Sequence, residues 1–458
     1  SPAVYRYWST TMHRSVILSV LTLLASLTLT LMPSAPAAAQ EIPFTRFELP
    51  SGLAVILHED HRLPLVSVNL WYHVGSKDEP PGRSGFAHLF EHLMFMGTEK
   101  VPYPQFDVIM ENSGGSNNAT TSEDRTNYFE TGPKELLDTF LYLEADRMAS
   151  LGSGMTQEKL ESQRKVVRNE RRQSYENRPY GKAYLEIPNR IYPLGHPYHN
   201  PVIGSHEDLE RATVDDVKDF FRKFYFPRNA SLVVAGDFDP AGARKLVEKH
   251  FGPLSSAPPA SHVSEAPATK IDGTVRVMLT DSVELPLSIF VWHSPAVFKE
   301  GDAEMDILAN VLGGGKSSRL YKTLVYEKKL AQEVEVFQAS NYLGSELHIH
   351  AYARPEISQD AVEAEIDREV ERLKAEGPTA REVERARNKV ETSFWKGMEG
   401  LRKRADRLNR YQFHFGDPGA IGRDRARYAA VTPVTAAKWA REVLKTDARL
   451  ILRIVPRD

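Results

Sequence analysis

The 458-residue chain contains no cysteine. That absence removes disulfides, thiol nucleophiles and thiolate metal sites, and leaves His, Asp and Glu as the side chains able to build a metal centre. Charge of one sign is also missing. A formal net charge of -3 creates no field that would gather nucleic acid or an anionic membrane surface, so no nucleic-acid partner is expected. Beyond the N-terminal region there is no second long apolar run, so no stable membrane insertion is expected once that region is removed. What remains, 41% hydrophobic and 26% charged, is the composition of a globular protein with room for two or three cored domains.

The N-terminal run has its own reading. Met12, His13 and Arg14 precede an apolar stretch from Val16 to Met32, followed by Pro33, Pro36 and Ala37-Ala38-Ala39. This is the layout of a secretory signal peptide cleaved near Ala39, with a retained membrane anchor as the competing reading. Residues 1–11 precede the start methionine. The mature protein is therefore expected in the periplasm or outside the cell.

The Pro-, Ser- and Ala-rich stretch Gly252–Lys270 reads as a linker, and the chain repeats itself on either side of it. Leu63-Pro64-Leu65 opens LPLVSVNLWYHV, and 222 residues later Leu285-Pro286-Leu287 opens LPLSIFVWHSPA. Likewise Thr213 and Thr432 each begin a helix followed by a strand, 219 residues apart. The spacing predicts two homologous domains, 40–252 and 271–458, after an upstream and signal segment at 1–39 and around a linker at 253–270. Each copy mixes β-branched runs with long charged helices, such as Thr156–Asn177 and Thr379–Phe413, which predicts an α+β class: a mainly antiparallel sheet with helices on one face.

The first copy carries the chemistry. In the run Gly85–Met96, expected as a buried helix, His88 and His92 stand one turn apart and offer two imidazoles to one ion, while Glu91 projects to the same side. This is the H-x-x-E-H order of inverzincins. Two core histidines satisfied by neighbours are the bland alternative, but two His and a Glu within an apolar turn are costly to bury without a cation. A third ligand is expected from the helix 156–177. At about 100° per residue, Leu160, Val166 and Val167 define an apolar stripe that includes Gln163 and Glu170, while Glu158, Glu161 and Glu176 point away. Glu170 is thus the carboxylate aimed inward. Two His and one Glu favour one zinc ion per chain with water as fourth ligand, and Glu91 as the base that activates it, a set suited to amide hydrolysis.

At these residues the chain resembles the pitrilysin, insulin-degrading-enzyme and mitochondrial-processing-peptidase superfamily, over nearly the whole mature sequence. The matching pieces are His88-Leu89-Phe90-Glu91-His92, Arg168-Asn169-Glu170, His196-Pro197-Tyr198 with Ile203-Gly204, and Leu312-Gly313-Gly314-Gly315 leading into Ser318-Arg319-Leu320. The resemblance maps the family's third zinc ligand onto Glu170, with 77 residues between it and His92. It also implies a zinc endopeptidase of peptides or unfolded polypeptides whose substrate adds as a strand beside Asn118 and Ala119. Three positions depart from the family pattern, in two places. Gln163 replaces an acidic residue seven before Glu170, and Val325 and Gln332 occupy the places of an Arg and a Tyr that reach the substrate in large single-chain relatives. Since the second copy lacks the H-x-x-E-H pattern in its matching helix, Asp302–Leu312, the chain resembles the catalytic half of a clam-shaped enzyme. A homologous subunit supplying the Arg and Tyr donors is expected, with a homodimer as the alternative.

Other features read more simply. Gly315-Lys316-Ser317 lacks the first glycine of a phosphate loop, where Asn310 stands, and follows a helix instead of a strand. His196 and His199, flanked by prolines, read as a turn. The basic runs Arg164–Arg172 and Arg402–Arg410 read as solvated helix faces. A non-catalytic, chaperone-like peptide binder on the same scaffold is the rival function, and an intact general base argues against it. A zinc-binding accessory protein is a further rival.

Overall fold

The computed structural model describes residues 42–255, 258–266 and 269–457. The expected signal segment and its cleavage site lie outside the described residues. Among these, no helix is long and apolar enough to cross a membrane.

Eleven strands and fourteen α-helices follow one another among the described residues. The first part runs β1 (Thr45–Glu48), β2 (Ala54–Glu59), β3 (Leu65–Tyr72), α1 (Phe86–Leu93), α2 (Gln105–Ser113), β4 (Ser116–Thr121), β5 (Thr126–Pro133), α3 (Leu137–Ser150), α4 (Gln157–Arg171), α5 (Gly181–Ile191), α6 (His206–Arg211), α7 (Val214–Phe224), β6 (Ala230–Gly236) and α8 (Pro240–Phe251). The second part runs β7 (Gly273–Asp281), β8 (Leu287–Ser294), α9 (Asp302–Gly313), β9 (Ala331–Ala339), β10 (Ser345–Ala353), α10 (Gln359–Glu376), α11 (Ala380–Lys396), α12 (Leu401–Phe415), α13 (Ile421–Ala429), α14 (Pro433–Val443) and β11 (Ala448–Pro456).

The duplication seen in the sequence is a duplication of topology. One sheet has the order β1-β2-β6-β3-β5-β4 and the other β7-β11-β8-β10-β9, so that from β2 and β7 onward the strands correspond one to one. In each, a single parallel pair, β2 with β6 and β7 with β11, sits in an otherwise antiparallel sheet. Both copies even start the helix before the last strand alike. Thr213 and Thr432 are N-caps of capping boxes, with Asp216 and Thr435 as the reciprocating residues.

The fold is α+β, and most helices of each copy lie on one face of its own sheet. Val68 and Leu70 of β3 and Leu232 and Val234 of β6 pack against Leu89, Phe90, Phe140, Leu160 and Phe220. In the second copy Phe290, Trp292 and Ile451 pack against Leu308, Ile366 and Ala440. Strand alternation leaves a second apolar face on each sheet, and the copies cover these faces for one another. Helix α12 crosses from the second copy to lay Ala405, Leu408 and Tyr411 on Ile56, Val233 and Ala235 of the first sheet. Helix α5 crosses the other way, and its Ala183, Ile187 and Ile191 lie on Ile289, Val291, Leu450 and Leu452.

This exchange explains two differences from the sequence reading, the helix break and the burial of Arg404. The helix expected over Thr379–Phe413 breaks between Lys396 and Leu401, with Gly397 as C-cap of α11 and Gly400 as N-cap of α12, because the chain must turn away from its own sheet. Arg404, expected on a solvated face, is buried and donates to His58 Nε2 at 3.0 Å and to Asp60, tying α12 to β2. Arg164 is buried too, with its guanidinium donating to the Ala212 carbonyl. The described part of the linker has no regular structure but is not loose: His262 contacts Asn229 Oδ1 at 2.7 Å and Val263 N–H donates to Asp78 at 3.3 Å.

Candidate metal centre

The helix that carries the histidines starts abruptly. Its N-cap Gly85 has φ 84°, and a Cβ there would lie 2.7 Å from the Ile203 carbonyl oxygen and 2.8 Å from Gly204 Cα, so only glycine allows the two backbones to pass. The Glu79 carboxylate accepts the N–H groups of Gly85 at 3.1 Å and Ala87 at 2.8 Å, satisfying donors that a helix start leaves open. Phe86 and Phe90 anchor the buried side against Phe220 and Tyr225, with Phe90 and Tyr225 ring centroids 4.2 Å apart. The opposite side holds His88, Glu91 and His92 half-buried at the edge of the core.

Helix α4 lies alongside. Thr156 caps it by accepting the Lys159 N–H, and Leu160, Arg164 and Val167 are its buried positions. Val166, expected in the apolar stripe, is 45% exposed. The stripe centres on Leu160 and Val167, and at about 100° per residue Glu170 lies on its flank with Val166 beyond it. Gln163, on the same flank, donates to Met96 Sδ at 2.9 Å. Immediately after Glu170 the helix widens into a π-turn at Arg172–Glu176, a distortion often found beside functional sites.

The two helices bring His88 Nε2 to 3.8 Å and His92 Nε2 to 3.3 Å from the same oxygen, Glu170 Oε2. The donor atoms of these three residues lie within 4.8 Å of one another, and theirs is the one group of this kind among the described residues. Ligands about 2.0–2.2 Å from a tetrahedral zinc ion stand roughly 3.3 Å apart, so the three donors fit such an ion with little adjustment. Their protonation states suit it too. Burial, with His92 nearby, depresses His88 to a pKa of about 4, leaving its imidazole neutral and able to donate a lone pair. The hydrogen bond from His92 holds the Glu170 carboxyl below its ordinary range, hence ionised.

Glu91 stands apart from that trio. Burial raises its pKa, and the Thr121 hydroxyl, which donates to Oε2, works against the rise. Thr121 is the last residue of β4, the edge strand of the first sheet, and was not singled out by the sequence, where it is one of several threonines in ATTSEDRT. Across the turn, Ser122 N–H donates to the Arg125 carbonyl at 2.9 Å, which makes 122 and 125 a hydrogen-bonded pair. With the register Thr120 to Asn127 and Ala119 to Tyr128, alternation turns the amides of Ala119 and Thr121 to the open side of β4. Asn118 is exposed, and its Oδ1 accepts the Ala119 N–H at 2.8 Å.

The remaining sequence candidates take other roles. His196 is buried and stacks on Tyr192, with centroids 4.5 Å apart, and His199 Nδ1 meets the Tyr192 carbonyl at 2.8 Å, so this segment is a packed turn. Val325 is half-buried in the second copy, whereas Gln332 is exposed.

Comparison with known proteins gives consistent matches. The family described as "Insulinase (Peptidase family M16)" matches residues 54–202, and that described as "Peptidase M16 inactive domain" matches residues 211–390. The zinc protease PqqE of Helicobacter pylori is 32% identical over 357 residues, covering 77% of this chain and 79% of that protein. A crystal structure of a protease from Helicobacter pylori superposes with a TM-score of 0.83 at 28% identity, over 91% of this chain and 100% of that one. The periplasmic protease PqqL of Escherichia coli shares the fold, with a TM-score of 0.76 at 19% identity, over 92% of this chain and 48% of that chain.

Proposed function

Because the chain belongs to the M16, or insulinase, family of peptidases, we propose that it is a zinc-dependent endopeptidase in which His88, His92 and Glu170 hold the metal and Glu91 is the general base. The observation that carries this reading is the convergence of three ligand atoms within 4.8 Å beside a carboxylate that is not one of them. A protein that only bound peptides would need no such fourth group.

Zinc held by these residues supplies Lewis acidity, lowering the pKa of a water toward about 7 and polarising a carbonyl. The protein's own residues do the rest. Burial keeps Glu91 ready to accept the proton of the attacking water and to return it to the leaving amine. Thr121 fixes the orientation of the carboxylate by donating to one of its oxygens. A substrate strand added to β4 meets the outward amides of Ala119 and Thr121, so backbone pairing aligns a scissile bond beside Glu91. For Ala119 this means exchanging the bond now made by Asn118 Oδ1. Peptides and unfolded chains can offer such a strand, and folded proteins seldom can.

We infer further that a second homologous subunit, or a second copy, completes the site. Val325 has no side-chain donor and Gln332 is a neutral amide in place of the expected Arg and Tyr, and the half-length match to a longer protease of the same fold supports a two-part enzyme. A periplasmic or exported location, with the signal segment removed, is proposed on the N-terminal sequence.

Hydrolysis of a quenched fluorescent peptide library, with and without candidate homologous subunits, tests the reading. Wild type is expected to cleave in the presence of a partner, and Glu91→Gln is expected to lose roughly 10³-fold or more in kcat. Undiminished turnover by Glu91→Gln would overturn the assignment of the base, and full turnover by a verified monomer would overturn the partner. Silence under every condition with zinc retained would favour a non-catalytic peptide binder.

A further inference from the structure

The β4–β5 hairpin touches Glu91 through Thr121 and presents the open edge, yet β4 pairs with β5 alone. A strand bonded on one side and ending in a turn holds its last residue only as well as the turn is held. Here the turn, Ser122–Arg125, is gripped from two directions. On one flank Ser76 N–H donates to the Ser122 carbonyl at 3.2 Å and Lys77 N–H to the Glu123 carbonyl at 3.0 Å, in the same loop whose Glu79 receives the first N–H groups of α1. The second grip comes from the copy that has no metal ligands. Asp124, 7% exposed, accepts the Tyr198 hydroxyl at 2.6 Å through one oxygen and the Tyr342 N–H at 2.8 Å through the other. Tyr198 Oη in turn accepts the Leu343 N–H at 2.9 Å. Tyr342 and Leu343 belong to the connection between β9 and β10 of the second sheet.

We propose that Asp124 is a positioning residue through which the metal-free copy holds the hairpin tip, and with it Thr121, against Glu91. The proposal rests on the reading of Glu91 as the base. Both oxygens of a nearly buried carboxylate are used, one on a side chain of the first copy and one on the backbone of the second, so the turn cannot shift without breaking a charge-assisted bond. The second copy thereby shapes the site without contributing a group to the reaction.

The test is a double-mutant cycle on the full chain, assayed with whatever partner supports turnover and well below the melting temperature. Asp124→Ala is expected to lower kcat about tenfold with a smaller change in KM, while zinc content stays unchanged, since His88, His92 and Glu170 lie outside the hairpin. Thr121→Val is expected to lower kcat at least as much, and the double variant to be no slower than Thr121→Val alone. Asp124→Asn, which keeps one acceptor, should recover part of the loss. Wild-type kcat in Asp124→Ala, or losses that multiply in the double variant, would overturn the proposal. If Asp124→Ala does not fold, Tyr198→Phe removes one of the two bonds and must show the same non-multiplicative behaviour with Thr121→Val. A Glu91→Gln variant that keeps its turnover would instead remove the catalytic reading, whatever the cycle gives.

Discussion

At the scale of single residues, burial is the tuning agent, and its sign depends on which form is charged. It keeps the His88 imidazole neutral and pushes the Glu91 carboxyl toward protonation, which suits the ligand and base roles proposed for them. Glu123, at the hairpin tip, feels the same force. Burial, with Asp124 and Glu346 adding repulsion, raises it to about 7. An unfolded glutamate titrates near about 4.3, so the folded state holds this proton more tightly. Its contribution is complete below that value and is lost as pH rises through about 7. Glu123→Gln is therefore expected to raise the melting temperature by roughly 2 °C at pH 8 and not at pH 5, as read by differential scanning calorimetry. Equal shifts at both pH values would contradict the charge argument. His88, Glu91, His92 and Glu170 were legible in the sequence because helical spacing places residues on a common face without knowledge of the partner. Thr121 and Asp124 were not, since their bonds run between elements far apart in the chain.

At the scale of elements, the exchange of α5 and α12 is what makes the two copies one structure. Leu408 is 1% exposed on the first sheet's outer face although it belongs to the second copy, and Ile187 is 3% exposed on the second sheet although it belongs to the first. Leu408→Ala is expected to cost about 2–5 kcal/mol and to lower the stability of both copies together. Urea titrations of variants retaining only Trp71, on β3, or only Trp292, on β8, should give one shared midpoint that shifts as one; two separate midpoints would contradict mutual dependence. The sequence showed the repeat and the helix-rich faces. It could not show the exchange, because an apolar periodicity says which side of a strand is buried and not which copy's helix buries it. The break at Gly397 and Gly400 became interpretable only once α12 was seen to leave its own sheet.

At the scale of the whole molecule, the two copies differ in that the first alone carries a candidate metal centre among the described residues. Helices α1 and α9 both begin after a left-handed glycine, Gly85 at φ 84° and Gly301 at φ 92°. Aligned on those caps, His88, Glu91 and His92 correspond to Glu304, Ile307 and Leu308, of which the latter two are wholly buried in the second core. At two of these three positions the second copy places hydrocarbon where the first keeps polar groups half-open, while Glu304 stays polar and half-buried. The central claim is a division of labour in the first copy, where three residues hold zinc and a fourth does not. Zinc bound per chain, measured after reconstitution on wild type, Glu170→Gln and Glu91→Gln, tests it most directly. The account predicts about one equivalent for wild type and for Glu91→Gln, and a large loss for Glu170→Gln. Full zinc in Glu170→Gln, or its loss in Glu91→Gln, would contradict it.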